Sequence, residues 1–281
     1  YRSLLGQGVV ARFDPKTYNE YIWFARIGEG SLGGKARGLA FINHMLQEHR
    51  LYDKYEGVRI LIPRTVVIAT DYFDTFIHEN GLQYVINADL SDEEILSEFV
   101  SSRLPEGLIE DLQAFIRTVR YPLAIRSSSK LEDSHYQPFA GIYSTYMIPR
   151  TQHEDQMLRL LTKAIKSVYA SVYYSASRSY ILATSNVLSE EKMAVVIQEV
   201  CGTEDSGYFF PTVSGVARSL NFYPIGDEKP EDGIANIAFG LGKLVVEGGI
   251  TLRFPPRNPK NVHQLWTPEQ ILRDTQREMY A

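Results

Sequence analysis

Apolar positions along this chain switch between helical and strand spacing, and the switches mark its elements. Leu61 to Ala69 is a β-branched apolar run that predicts a buried strand. Asp71 to Asn80 then reads as a helix, stopped by Gly81 just past its end. Ser91-Asp-Glu-Glu94 is a capping box opening a helix to about Ser102. From Pro105 to Arg120, Leu108, Leu112, Phe115 and Val119 fall on one helical face, and Leu123 to Arg126 follows as a strand. Thr151-Gln-His-Glu154 reads as a second capping box. After it, Leu158, Leu161, Ile165, Val168 and Val172 form an amphipathic stripe, and its flanking Tyr169, Tyr173 and Tyr174 read as packing. Beyond Asn186 the chain breaks into short β-rich runs: Met193 to Val200, Tyr208 to Phe210, Ile234 to Phe239, and Leu244 to Val246. Alternating helices and strands followed by strand-rich sequence predict an α+β fold with a boundary near Gln198–Gly202.

Two stretches carry candidate chemistry. In the first, Tyr21 to Ile27 is apolar enough for a strand, and Leu39, Ile42, Met45 and Leu46 recur at helical spacing. Between them Gly28-Glu-Gly30-Ser-Leu-Gly33-Gly34-Lys35 is a glycine-rich turn at a helix N-terminus, where exposed N–H groups and the helix dipole favour an anion. In the second, an apolar run delivers Arg126 to a strand end, followed by Ser127-Ser-Ser129, Glu132-Asp133, Phe139-Ala-Gly141 and Thr145. A fixed guanidinium offers forked donors that match phosphate oxygens. The competing reading pairs Arg126, or Lys130, with Glu132 or Asp133 beside an ordinary turn. No histidine base lies near the serines in sequence, so they read as hydrogen-bonding groups and not as nucleophiles.

The glycine turn is not a Walker A loop, because Glu29 stands where the first glycine belongs and Ala36 follows the lysine. Gly28, Gly30 and Gly33 do match the dinucleotide fingerprint, which also needs an acid about 20 residues on at the end of a second strand. Asp53 has that spacing in a segment too polar for a buried strand. A glycine turn with no ligand remains open.

Gly33-Gly34-Lys35, the segment Ile62 to Phe73 with its proline, and Glu79-Asn-Gly-Leu82 appear here in a recognisable order. Arg126-Ser-Ser128, Glu132-Asp133 and Phe139-Ala-Gly141 come next, then Val195 to Val200 and Phe239-Gly-Leu-Gly242. This ordered set, over about residues 27 to 250, resembles the nucleotide-binding domain of the phosphoenolpyruvate synthase and pyruvate phosphate dikinase family. The resemblance implies an ATP-grasp fold of two lobes with nucleotide between them: an extension over 1–20, one lobe over 21–199 and an incomplete lobe over 200–281. It implies ATP and Mg²⁺ as cofactors, Lys35 and Arg126 as catalytic cations, and Gly33, Gly34, Ser127, Gly141 and Thr145 around the phosphates. Gln198, Glu199 and Val200 would form the adenine edge. By resemblance the full enzyme splits ATP to AMP, phosphorylates a histidine on a separate domain and makes phosphoenolpyruvate from pyruvate. The partners are then ATP and the carrier and pyruvate-binding domains of a longer chain. None of His44, His49, His78, His135, His153 and His263 has the family's carrier context. Lys243 stands where the family has Glu, the segment Gly207 to Asn221 fits loosely, and the family's acidic metal ligands are expected beyond Ala281. Two rivals follow: a non-catalytic nucleotide-sensing domain of the same fold, and a Rossmann-type NAD-dependent oxidoreductase.

Bulk properties narrow the classes further. A net charge of −5 gives no nucleic-acid footprint. Cys201 is the single cysteine, which excludes an internal disulfide and fits a reducing cytoplasm. No apolar run reaches membrane-span length. The chain begins at Tyr1 and reads as a piece of a longer protein.

Overall fold

In the first unit, strands β1 (Ala11–Arg12), β2 (Phe24–Ile27), β3 (Thr65–Ile68), β4 (Leu123–Ser128), β5 (Thr145–Ile148) and β6 (Ala194–Glu199) pair into one sheet. Their spatial order is β1-β2-β3-β6-β4-β5. β1, β2 and β3 run parallel in sequence, and the remaining pairs are antiparallel. The central strands Thr-Val-Val-Ile and Ala-Val-Val-Ile are buried on both faces, which is why neither alternates in polarity. This computed structural model describes residues 10–19, 21–129, 143–183 and 191–281. The chain divides into two units, one ending at Val200 and one starting at Cys201.

Residues 10–18, expected to be an extension, supply the edge strand and two core aromatics, Phe13 and Tyr18. The Asp14 carboxylate accepts from the Lys16 N–H at 2.9 Å and the Thr17 hydroxyl at 3.1 Å. That turn brings the Phe13 and Tyr18 rings to 4.4 Å.

Directly paired residues share a face of a sheet, so the register defines two faces. Ile27, Ile68, Val195 and Ile125 lie in the main core. Their partners there come from α2 (Thr70–Glu79), α3 (Asp92–Ser101), α4 (Glu106–Ile116) and α5 (Glu154–Ala170). Phe24, Val67, Ala194 and Val196 lie on the other face, where Ala36 of α1 (Gly33–Glu48) packs on them. Only the first turn of α1 is buried; Phe41 and Ile42 are exposed, so the expected stripe through Ile42 is not a core face.

Helix ends follow local chemistry. Gly81 adopts φ 62° just past α2, and the Ser91–Glu94 capping box opens α3 as expected. α4 stops at Ile116, short of Arg120, with Val119 still buried beyond it. The second expected box does not form. α5 begins at Glu154 with His153 as N-cap, so Thr151 lies two residues too early. The Thr151 hydroxyl donates to the His153 carbonyl, and the Glu154 carboxylate faces Arg117 at 3.4 Å instead. Tyr169 and Tyr173 are buried packing residues; Tyr169 meets Phe73 edge-on at 5.1 Å. A short helix, α6 (Ser175–Ala183), follows.

In the second unit, β7 (Thr203–Asp205) and β8 (Tyr208–Phe210) form a hairpin around Ser206-Gly207, both at positive φ as a tight two-residue turn requires. β9 (Val213–Arg218), β10 (Ile234–Phe239) and β11 (Leu252–Phe254) make an antiparallel sheet in the order β11-β10-β9. The expected strand Leu244–Val246 is instead helix α7 (Lys243–Glu247). Glycines bracket it, with Gly248 at φ 82°, and Lys243 and Glu247 pair across one turn at 3.9 Å. α8 (Pro268–Asp274) carries its own Thr267–Gln270 capping box.

Candidate functional site

The two motifs, more than 90 residues apart in sequence, meet in the first unit. The loop after β2 first lies against the start of α2. A Cβ on Gly28 would sit 2.5 Å from Asp71 Oδ1, and one on Gly30 2.6 Å from Asp71 N. Asp71 accepts the Glu29 N–H at 2.8 Å, and the Ser31 N–H donates to Thr70 Oγ1 at 3.0 Å. These glycines are therefore spent on contact with protein. The acid after the second parallel strand is Asp71, already bonded to the loop, while Asp53 stands exposed in a turn. The fingerprint match thus lacks the geometry of a dinucleotide site.

Gly33 begins α1 at φ 69°, with space for a Cβ closed by the Ser128 carbonyl oxygen at 2.0 Å. The Gly34 N–H donates to the Ser129 carbonyl at 3.0 Å. The Ala36 N–H donates to Ser128 Oγ at 3.1 Å, and that hydroxyl donates onward to the Leu32 carbonyl at 2.8 Å. Lys35 Nζ donates to Ser127 Oγ at 3.1 Å. Thus Gly33, Gly34 and Lys35 are docked on the C-terminal end of β4 through all three serines. The docking modifies one expectation. The N–H groups of Gly33, Gly34 and Ala36 were expected to face an anion. They bond instead to Ser31 Oγ, the Ser129 carbonyl and Ser128 Oγ.

Arg126 lies half-buried on β4, opposite Val196 on one side and the exposed Thr145 on the other. It shares the sheet face that Ala36 covers. Among the described residues no hydrogen bond or ion pair engages its guanidinium. Gly141, Glu132, Asp133 and His135 fall outside the described residues.

Gln198 and Glu199 end β6, Val200 follows it, and all three are held by the unit they belong to. Gln198 Nε2 donates to Thr65 Oγ1 at 3.1 Å. The Glu199 N–H donates to the Arg64 carbonyl at 3.0 Å, and the Val200 N–H to the Pro122 carbonyl at 2.9 Å. The Glu199 carboxylate accepts the Arg120 N–H at 3.0 Å and lies 3.8 Å from Arg64 Nε. Two of the backbone N–H groups on this expected adenine edge are therefore already engaged. Sequence reasoning missed Arg64, although a charged residue inside the apolar run Leu61–Ala69 was the available signal.

The second unit contains one buried carboxylate, Glu228. Arg253 grips it with NH1 to Oε1 at 2.9 Å and NH2 to Oε2 at 2.8 Å. The Ile225 N–H and Asn221 Nδ2 add donors, each at 3.0 Å. The Arg253 guanidinium, helped by these donors and opposed by burial, holds the Glu228 carboxyl at about 2. Lys243, the departure from the family pattern, faces Glu247 and lies 4.7 Å from the Tyr280 ring. Among the described residues no group of three His, Cys, Asp or Glu could hold a metal. No described helix is long and apolar enough to cross a membrane.

Residues 29–277 match the family described as pyruvate phosphate dikinase, AMP/ATP-binding domain. The chain is 28% identical over 193 residues to the uncharacterized phosphotransferase YvkC of Bacillus subtilis, covering 68% of this chain and 20% of that protein. It is 26% identical over 254 residues to the phosphoenolpyruvate synthase of Aeropyrum pernix, covering 82% and 27%. With that of Deinococcus radiodurans it shares 28% over 211 residues, covering 68% and 24%. The chain thus spans a fifth to about a quarter of the length of these relatives. With the glycine-lysine turn and the arginine-serine strand end joined at one place, and a family match over nearly all of its length, the chain belongs to the pyruvate phosphate dikinase AMP/ATP-binding domain family.

Proposed function

We propose that this chain is the ATP-binding part of a phosphoenolpyruvate synthase-like enzyme. ATP would bind this ATP-grasp domain and give up a phosphoryl group to a histidine on a separate domain. The observation that carries the reading is the docking of Gly33-Gly34-Lys35 onto Ser127-Ser-Ser129, with Arg126 on the adjoining strand position. Phosphoryl transfer asks a protein mainly for positioning and charge neutralisation. Arg126, with no counter-charge among the described residues, and the Lys35 ammonium suit an anionic polyphosphate. Thr145, opposite Arg126 in the register, and Gly141 are assigned to the same phosphate end. Gln198, Glu199 and Val200 are assigned to the base, with the carbonyl oxygens of Glu199 and Val200 as its acceptors. The described residues provide no group of three His, Cys, Asp or Glu that could hold Mg²⁺. A reducing cytoplasm suits this chemistry and the exposed thiol of Cys201.

Calorimetric titration of the 281-residue chain with ATP, AMP and NAD tests the reading. ATP is expected to bind more tightly than NAD. The reverse order would return the glycine fingerprint to a dinucleotide role and end the phosphotransfer assignment.

A further inference from the structure

Arg64 is a buried charge that nothing so far explains. Its side chain is 5% exposed and that of Glu199 11%, yet Nε stands 3.8 Å from the carboxylate and makes no hydrogen bond. NH1 and NH2 both donate to the Thr118 carbonyl, at 3.2 and 2.6 Å, and the guanidinium lies 6.0 Å from the centre of the Tyr18 ring. As a stability device the pair is poor. Buried ion pairs gain little over apolar residues of the same volume, and this one leaves a donor unsatisfied. It does close a ring of contacts. Arg64 bonds Thr118 by its fork and Glu199 by its carbonyl; Glu199 bonds Arg120; Val200 bonds Pro122. Thr118, Arg120 and Pro122 belong to one connection, between α4 and β4, which Arg150 Nε also holds through the Val119 carbonyl at 3.0 Å. The ring therefore fixes the direction of the chain at Glu199–Val200, the last residues of the first unit.

We propose that Arg64 and Glu199 are positioning residues for nucleotide-base recognition. Their side chains touch no ligand; the side-chain pairing holds the carbonyl oxygens of Glu199 and Val200 where a base can be read. This deepens the ATP reading above and rests on it. The proposal separates base from phosphate: loss of the pair disturbs the end of β6 and leaves Lys35 and Arg126 in place.

The test uses Glu199→Gln, which keeps an acceptor for the Arg120 N–H but removes the charge, and Arg64→Lys, which keeps the charge but loses the fork. Calorimetry on the full chain measures affinity for ATP, GTP and inorganic tripolyphosphate, with the folded fraction fixed by circular dichroism. Both variants are expected to lose about tenfold in ATP affinity, a modest change in binding free energy. The preference for ATP over GTP should shrink, while tripolyphosphate binds as to the parent. ATP affinity and base preference unchanged in both folded variants would overturn the proposal and leave the ATP reading standing. Equal losses for ATP and tripolyphosphate would also overturn it, because the pair would then be a general support. A parent chain that binds neither ATP nor tripolyphosphate would overturn the underlying reading, and this proposal with it.

Discussion

Gly33 and Gly38 sit five residues apart on one helix and make opposite demands. Gly33 combines φ 69° with a Cβ position 2.0 Å from a backbone oxygen of β4; around Gly38 nothing lies within 4 Å. Gly33→Ala should therefore cost about 3 kcal/mol, the sum of a strained backbone region and a contact that only main-chain movement can relieve. Gly38→Ala, in a helix interior, should stabilise by about 0.5–1 kcal/mol. Urea unfolding of both variants checks the pair; equal effects would mean that α1 is not docked on β4 as described. At this scale the sequence was legible where chemistry is local. Lys35, Arg126 and the serines could be singled out, because glycine, cation and hydroxyl cluster along the chain. What could not be read was the destination of each hydrogen bond. Nothing in Gly33-Gly34-Lys35-Ala36 reveals that its N–H groups are satisfied by Ser31 and by serines over 90 positions away. Arg64 was overlooked because its neighbours made the segment look uniformly apolar.

Among the elements, the long periodic helices and valine-rich strands were readable, since burial imposes its period over many residues. The failures came where a few residues decide. Thr151-Gln-His-Glu154 has the letters of a capping box, yet the helix starts at Glu154. Leu244–Val246 looks like a strand until flanking glycines and an i,i+4 ion pair make it a helical turn. β1 was invisible, for two residues carry no period. The Glu228–Arg253 pair ties the loop between β9 and β10 to β11, and it makes a pH prediction. A carboxyl held at about 2 when folded, against about 4.3 when unfolded, binds fewer protons in the native state. Its stabilisation is full above the unfolded value and is lost as pH falls toward 2. Glu228→Gln leaves Arg253 without its charge partner and should destabilise the second unit by about 3 kcal/mol at pH 7. The penalty should shrink below pH 4. Thermal melts across pH 2 to 7 would show it, and a penalty independent of pH would deny the charge pairing.

At the scale of the whole molecule, the proposed division of labour between domains makes a prediction. It spans about a quarter of its phosphoenolpyruvate synthase relatives, and none of its histidines has the carrier context expected of that family. Incubated alone with ATP, Mg²⁺ and pyruvate, it should form no phosphoenolpyruvate, because the proposed carrier histidine lies on a separate domain that must reach the phosphates. Steady phosphoenolpyruvate in a coupled assay would relocate the carrier into this chain and make His135 the first residue to replace. The proposed phosphate site rests on two cations, Lys35 and Arg126. Lys35→Ala and Arg126→Ala each remove a charge-assisted donor worth about 1.5–3 kcal/mol. The most direct measurement is the ATP dissociation constant of the two variants beside the parent, by calorimetry on folded protein. Each variant is expected to lose about tenfold or more in ATP affinity, with the fold retained. ATP affinity per folded molecule unchanged in Arg126→Ala, with the domain unfolding more easily, would make Arg126 a structural residue and contradict the proposed phosphate site.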